Sequence, residues 1–219
     1  MGSWSWDRAG ELLPLMMEGL RILLLVTVIA SAVALILGLI VAIVNRSAPK
    51  AVTVPLFGVM EFIRNTPVLV QAIFVWALLI SMLGTSASPM WTGAIVLGVH
   101  YASYTAEAYR AGIDGIPKGQ WEAITALSLP KPRAWWAVLL PQALRKSTPA
   151  LGNYVIALFK EVPILSAIGV AEMVTQVEGY AGANYGGSLE GFTMAGLIFL
   201  VISYPIALLM RKLENRLAN

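Results

Sequence analysis

The sequence contains no cysteine and only one histidine, His100, and these absences exclude two common kinds of functional site. Without cysteine the chain can form neither a disulfide framework nor a thiolate site, and a single histidine cannot build a multi-histidine metal site. Charged residues are also scarce, at 12% of the chain, whereas soluble domains carry roughly 25%. The hydrophobic share of 58% is too large for one buried core, so the composition predicts a polytopic membrane protein.

Motifs for nucleotide binding and for hydrolysis are missing as well. The sequence has no G-x-x-x-x-G-K-[ST] loop to hold ATP phosphates, no H-E-x-x-H zinc site and no G-x-S-x-G nucleophile turn. We therefore expect no enzyme activity, metal or cofactor on this chain, and any energy-coupled role would need another chain. The net charge of +3 is small, and its basic residues lie where a membrane topology needs them, so nucleic acid is not an expected partner.

The apolar residues fall into five charge-poor runs, and each run predicts a membrane span. A transmembrane helix needs about 20 predominantly apolar residues to cross a hydrocarbon core of about 30 Å. Residues 1–18 precede the first run and carry Trp4, Trp6 and three acidic side chains rather than a basic leader. We expect this segment to be interfacial or extracytoplasmic, and not a cleaved signal peptide. The expected spans are about 20–44, 55–83, 90–110, 146–170 and 191–210, in an all-α membrane domain at 19–210.

Basic residues predict the orientation of these spans. The first connection holds Arg46 and Lys50, the central loop between the third and fourth spans holds six basic residues, and the tail at 211–219 holds three. The opposite side has an uncharged GTSASP loop and a segment whose charged residues are all glutamates. The positive-inside rule therefore places the N-terminus outside and the central loop and the C-terminus in the cytoplasm.

A short helix is predicted inside the central loop, at 115–130. Pro117 suits a first helical turn, and Trp121, Ile124 and Ser128 then fall on one helical face, which Leu127 widens. Pro130 and the proline two residues later end the helix. Two interpretations remain open at this point. The helix either lies at the membrane interface and packs on the bundle, or docks its apolar side chains in a groove of a cytoplasmic partner.

The loop around this helix resembles the EAA loop of type I ABC-importer permeases. That signature is Glu-Ala-Ala, a glycine four residues after the last alanine, and Ile-x-Leu-Pro after nine further residues. Ile124 replaces the second alanine and Ser128 replaces the glycine, so the end of the helix and the partner groove are expected to differ from the family's pattern. The positions that correspond to the signature are Glu122, Ala123, Ile124, Ser128, Val138, Leu140 and Pro141.

Further segments resemble the polar amino-acid branch of this family, and together they cover nearly the whole chain. Within the branch, GVHYASYTAEAYRAGI and FKEVPILSAI look most like permeases for ectoine and hydroxyectoine. The segments that carry the branch resemblance are FIRNTPVLVQ at 62–71, YTAEAYRAGI at 104–113, PALGNYVIALFKE at 149–161 and SAIGVAEM at 166–173.

The resemblance implies a function and a set of partners. It implies a multi-pass permease subunit in the bacterial cytoplasmic (inner) membrane, which imports a polar amino acid or an ectoine-like compatible solute. ATP and Mg²⁺ would be bound by a dimer of separate ATP-binding subunits, and the other partners would be a second permease subunit, an extracytoplasmic solute-binding protein and membrane lipid. The implied coupling-helix and docking residues are Gly119, Gln120, Glu122, Ala123, Ile124, Ala126, Leu127, Ser128 and Pro141.

Charged residues inside the predicted spans are a second set of candidates. A charge at the centre of a span costs about 2.5–3.5 kcal/mol on insertion scales, so its presence usually has a reason. Glu61 and Arg64 are three residues apart and can pair along a helix, as an interfacial structural pair or with Arg64 on a path. The run 52–83 would be about 48 Å long as one helix. Either it tilts strongly, or its first half lies at the surface and the chain turns inward near Pro67.

The remaining intramembrane candidates are polar residues of the third and fourth spans. Lys160 and Glu161 form either a neutralised pair at a helix break or part of a broken helix that lines a path. His100 is either a hydrogen-bonded core residue or one wall of a cavity for a small polar solute. The candidate path residues are Arg64, Thr66, Gln71, His100, Tyr101, Tyr104, Asn153, Lys160 and Glu161.

An ATP-independent secondary carrier or channel is the alternative function. It explains the spans and the intramembrane charges, but it leaves the helix at 115–130 without a role. It predicts solute flux with no ATPase subunit present.

Overall fold

The computed structural model describes residues 4–83 and 87–218, and all regular structure in that part of the chain is helical. The predicted GTSASP loop falls partly outside the described residues, as do the two chain ends. A four-residue helix, α6, runs through a π-helical turn directly into α7, and a 3₁₀ helix follows α7. The bounds are α1 Trp6–Ser47, α2 Lys50–Asn65, α3 Val68–Leu83, α4 Pro89–Asp114, α5 Lys118–Ala126, α6 Lys131–Ala134, the π-helical turn Trp135–Leu139, α7 Leu140–Glu161, the 3₁₀ helix Val162–Ile168, α8 Met173–Asn184 and α9 Ser188–Ala218.

Three of the described helical segments are long and apolar enough to cross a membrane, where the sequence predicts five spans. They are Trp6–Ser47, Lys131–Ile168 and Ser188–Leu217, and the bent pair α2–α3 makes a fourth if it counts as one span. The predicted third span corresponds to α4, which carries buried polar groups such as His100 and falls outside this set. Because other helices enclose α4, it needs fewer apolar side chains than a lipid-facing helix does.

Helices α1 and α9 are longer than the predicted spans at their charged ends. α1 begins at Trp6, where the Ser5 side chain accepts a hydrogen bond from the amide of Arg8, and it continues through Pro14. The segment 1–18 is therefore mostly part of α1 in the described residues, and α9 likewise extends through most of the predicted tail at 211–219. Charges mark where the apolar run stops, whereas a helix continues until its backbone hydrogen bonding is capped or broken.

Helices α2 and α3 meet at a bend of 105°, which is the second of the two alternatives for the run 52–83. Pro67 disfavours the helical conformation of the preceding residue, and Thr66 is extended at φ −106°, ψ 141°. The Gln71 side chain then donates to the carbonyl of Ile63 at 2.7 Å and to the Thr66 hydroxyl at 2.6 Å. These bonds satisfy backbone and hydroxyl groups that the end of α2 leaves free, and so stabilise the bend.

The core is centred on the contact between α1 and α4, which small residues make close. A Cβ added to Gly98 would lie 2.6 Å from Cβ of Val33 and 2.9 Å from the carbonyl oxygen of Ala30. The Thr105 hydroxyl donates across the same contact to the carbonyl of Ala34 at 2.7 Å. Small side chains that let two backbones approach, with a hydroxyl bonded across the interface, are typical of helix packing in membranes.

Within the fourth predicted span, 146–170, the α-helix stops where the sequence places its charges, and the helical segment continues to Ile168. α7 stops at Glu161, the 3₁₀ helix follows, and Gly169 adopts the left-handed conformation at φ 86°. The buried Glu172 carboxylate then caps α8, accepting from the amides of Val174 and Thr175 at 2.9 Å each. Burial raises the pKa of the Glu172 carboxyl, and these hydrogen bonds act in the opposite direction.

Candidate functional site

Helix α5 occupies the loop where the sequence predicts a docking helix, and its two faces have different surroundings. Trp121 and Ile124 are half-buried and pack on a cluster built from Ile113, Leu139 and neighbouring residues. The indole rings of Trp121 and Trp135 meet edge to face at 6.2 Å between centroids. The structure thus places Ile124 against the bundle, whereas its bulk was expected on the docking face.

The opposite face of α5 is open to the surroundings. Leu127 is 71% exposed, although it is an apolar residue at the end of the helix. One face of α5 therefore packs on the bundle, as in the first of the two interpretations, and the other face is exposed. The exposed candidates in and beside α5 are Gly119, Gln120, Glu122, Ala123, Ala126, Leu127 and Ser128, and Pro141 is exposed on α7.

Ser128 adopts the left-handed conformation that favours glycine, with φ at 48°. The chain reverses there, after α5 and before Pro130, and the amide of Ser128 donates to the carbonyl of Thr125 at 3.0 Å. A left-handed conformation costs an ordinary residue roughly 1–2 kcal/mol relative to a right-handed one. Serine therefore reaches a conformation at this turn for which the glycine of the family signature would be better suited.

Side chains of α1 and α7 contact α5, and a further contact joins α7 to the end of α4. The Arg46 guanidinium, at the end of α1, lies 5.3 Å from the centroid of the Trp121 ring and 3.5 Å from Asp114 at the end of α4. Lys146 donates to the carbonyl of Gly115 at 2.6 Å, and Gln142 donates to Gln120 at 3.2 Å. Arg46 had been interpreted only as a marker of orientation, because no local pattern links positions so far apart.

Four of the candidate path residues lie together at the α2–α3 bend and on α4. Nδ1 of the buried His100 is 3.2 Å from Oε1 of Gln71, and Gln71 donates in turn to Thr66. The Tyr104 hydroxyl donates to the carbonyl of Arg64 at 3.4 Å. His100 is therefore a buried, hydrogen-bonded residue, as in the first of its two interpretations, and its network joins α3 to α4.

Aromatic rings continue this polar chain toward α7. The Tyr104 ring lies 5.7 Å from Tyr101 and 5.6 Å from Tyr154, measured between centroids. The Glu161 carboxylate interacts with the Tyr101 hydroxyl, and its buried Oε2 has no hydrogen-bond partner among the described residues. A carboxylate beside Tyr101, whose ring clusters with two further tyrosines, can accept from an ammonium group, and the rings also attract its charge.

The other candidates are placed apart from this cluster. Lys160 and Asn153 are exposed on α7, and no ion pair joins Lys160 to Glu161 in the described residues. Glu61 and Arg64 form a half-buried ion pair along α2. A cavity of about 510 Å³ beside that pair also contacts Phe57 of α2 and the ends of α1 and α4. Arg64 therefore lines this cavity.

Comparisons with known proteins agree with this architecture. The family model described as binding-protein-dependent transport system inner membrane component matches residues 13–219. The chain is 34% identical to a probable amino-acid ABC transporter permease protein of Sinorhizobium fredii, over 98% of this chain and 95% of that protein. It is 32% identical to the arginine transport system permease protein of Bacillus subtilis, over 94% of each chain. It is 28% identical to the glutamine transport system permease protein of Escherichia coli, over 98% of each.

Solved structures show the same fold. A crystal structure of an amino acid ABC transporter with histidines superposes with a TM-score of 0.87 at 29% identity, covering 98% of this chain and all of that chain. An inward-facing structure of the MetNI methionine ABC transporter superposes with a TM-score of 0.76 at 19% identity, covering 94% of this chain and 97% of that one. At 19% identity, the likeness to the methionine transporter concerns the fold alone.

Proposed function

The chain belongs to the family of binding-protein-dependent transport system inner membrane components, and from that premise we propose that it is the permease subunit of an ATP-driven importer for a small polar amino acid. Permeases of this family work with an ATP-binding subunit and a solute-binding protein. We place the chain in the bacterial inner membrane, with its central loop and its C-terminus in the cytoplasm. ATP and Mg²⁺ belong to the partner ATPase, since this chain has no phosphate-binding loop.

The observation that carries the proposal is the two-sided placement of α5. Trp121 and Ile124 fix the helix to the bundle, while Glu122, Ala123 and Leu127 face outward. Burying one exposed leucine in a partner groove is favourable by about 1.5–3 kcal/mol. A helix that is fixed on one side and docked on the other transmits displacement, which is what coupling to a separate ATPase requires.

The proposed transport mechanism is alternating access in a pair of permease subunits, identical or related. A loaded solute-binding protein docks on the outer face, and closure of two ATP-binding subunits displaces the α5 helices and opens the path outward. Hydrolysis then returns the pair to the inward-open state. Solute and nucleotide shift this cycle only through their different affinities for its states.

We propose Glu161 and the tyrosines Tyr101, Tyr104 and Tyr154 as the part of the path that receives the solute's cationic group. The free carboxylate oxygen supplies an acceptor, and the three rings supply cation–π contact. Arginine and glutamine, the solutes in the names of two relatives, both carry an α-ammonium group. Ectoine-like zwitterions each carry a delocalised cation and a carboxylate. Only the sequence resemblance supports them as the narrower substrate class.

Docking is tested by purifying the chain with its ATPase subunit in mild detergent. Ala123→Asp puts a charge into the proposed groove, and we expect it to reduce co-purification of the ATPase at least tenfold. Ala111→Asp is the matched control, because Ala111 is exposed on α4, outside α5. Equal recovery of the ATPase with both variants would contradict the docking role of α5.

Energy coupling and solute are tested in proteoliposomes. With the ATPase and the solute-binding protein present, uptake should require ATP, and competition among glutamine, arginine and ectoine should identify the solute. Flux through the chain alone, without ATPase, would instead support the secondary carrier or channel. Glu161→Gln should weaken uptake of the preferred solute severalfold while leaving recovery of the ATPase unchanged.

A further inference from the structure

A groove at the end of α1 has no part in the proposed transport cycle. It lies between α1 and the α6–α7 segment and has a volume of about 330 Å³. Apolar and indole side chains form most of its walls, and Lys131 contributes the one charged group among its lining residues. We call it the α1–α6 groove. Its lining includes Ile43, Ser47, Lys131, Trp135, Trp136 and Leu140.

An exposed apolar stripe on α1 leads into this groove. Ile36 is 62% exposed and Ile40 is 51% exposed, and Ile43 and Ser47 follow at helical spacing on the same face. The stripe therefore runs along the apolar part of α1 toward its charged end. A hydrocarbon chain that lies along it would finish in the α1–α6 groove.

The charged end of the groove is positive, and no ion pair among the described residues neutralises it. Lys131 and Arg133 are both exposed, and neither forms an ion pair among the described residues. By contrast, the described ion pairs engage Arg8, Arg46 and two other arginines. The groove therefore offers one free cation, Lys131, beside an apolar wall, and Arg133 lies two residues further along the chain. This combination suits a ligand with an anionic head and an apolar tail.

Trp136 is an exposed tryptophan in the wall of the groove. Its side chain is 73% exposed, and it sits in the π-helical turn with Trp135. Exposed tryptophans are enriched at the level of lipid headgroups, where an amphipathic ring meets both water and hydrocarbon. The π-helical turn widens the helix locally and places two indoles in succession, a deviation often found at functional sites.

We propose that the α1–α6 groove binds an anionic phospholipid. Its phosphate lies at Lys131, with the charge of Arg133 two residues away, its glycerol region lies beside Trp136, and one acyl chain follows Ile43, Ile40 and Ile36 along α1. The groove is narrow and continues as an apolar stripe one residue wide, which fits a lipid chain. A protein partner usually buries about 800 Å² on each side, which is a broader surface than this. The inference concerns a surface outside the proposed docking helix and path.

The test is native mass spectrometry of the transporter complex purified in equal amounts of phosphatidylglycerol and phosphatidylcholine. We expect the wild-type complex to retain phosphatidylglycerol preferentially. Lys131→Gln should reduce the retained phosphatidylglycerol severalfold, and the double variant Lys131→Gln/Arg133→Gln should reduce it further. Lys118→Gln is the matched control, because it removes the same charge from an exposed position on α5, outside the groove.

A second measurement locates the lipid and keeps the outcomes distinct. Phosphatidylglycerol brominated on its acyl chains should quench tryptophan emission of the wild-type complex more than of Trp136→Phe. Equal retention of both lipids, or retention unaffected by Lys131→Gln, would overturn the proposal. If the groove variants lost a permease or ATPase subunit from the complex while they retained the lipid unchanged, the groove would be a protein interface instead.

Discussion

At the scale of single residues, the backbone conformation of Ser128 leads to the first prediction. Ser128→Gly should stabilise the turn after α5 by about 1 kcal/mol, because glycine reaches the left-handed region without a steric penalty. Slower amide exchange at residues 124–129 would measure the gain. Ser128→Ala is the control, since it keeps the Cβ and should give no gain. Faster amide exchange at this turn in Ser128→Gly would show that the added backbone flexibility outweighs the relief of strain.

Gly98 leads to the second prediction, because a larger side chain there meets the backbone of α1. Gly98→Ala should lower the free energy of unfolding by about 1–3 kcal/mol, as overpacking generally does. Gly58→Ala on α2 is the control, since a Cβ there meets no atom within 4 Å. Thermal unfolding in detergent compares the two variants, and equal midpoints would mean that α1 and α4 can separate at little cost.

At the scale of elements, the third prediction concerns how α5 is held. Arg46→Gln should remove both the ring contact with Trp121 and the ion pair with Asp114. Such exposed contacts contribute only about 0.5–1 kcal/mol each, so we expect little change in global stability. The amide-exchange rate of residues 118–126 should rise several-fold. The amount of solute taken up per ATP hydrolysed should fall.

Arg46→Lys separates charge from geometry in this experiment. Lysine keeps the positive charge but loses the planar guanidinium, so an intermediate effect is expected if stacking on Trp121 matters. Unchanged exchange and coupling in Arg46→Gln would mean that Gln142 and the packing of Trp121 and Ile124 suffice to hold α5.

Sequence reasoning found the elements whose signals are local and missed those that depend on distant contacts. The bend at Pro67 and the end of α7 at Glu161 follow from a proline and from adjacent charges, and both could be anticipated as alternatives. α4 gives a weak apolar signal because it is enclosed by other helices, which no window of sequence reveals. The contacts of Arg46, and the inward side of Ile124, depend on how α1, α4 and α7 converge on α5.

At the scale of the whole molecule, the beginning of the chain is joined to its last helix. The amide of Ser5 donates to the buried carboxylate of Glu190 at 2.8 Å, and Arg8 lies 3.8 Å from the same carboxylate. We predict that Glu190→Ala frees the start of α1 and speeds tryptic cleavage after Arg8 several-fold. Glu190→Gln keeps an acceptor for Ser5 and should be cut at an intermediate rate. Equal cleavage in all three proteins would show that packing alone fixes this end.

The unbroken passage from α6 through α7 has a mechanical consequence. Gln142 contacts α5 near one end of α7, and Glu161 stands at the other end, about 28 Å away at 1.5 Å per residue. Moving as a rigid body, this segment acts as a lever arm, and a rotation of about 6° at its base would carry its tip about 3 Å. That stroke is the length of one hydrogen bond, so a small tilt imposed at α5 is large enough to make or break the contact between Glu161 and Tyr101.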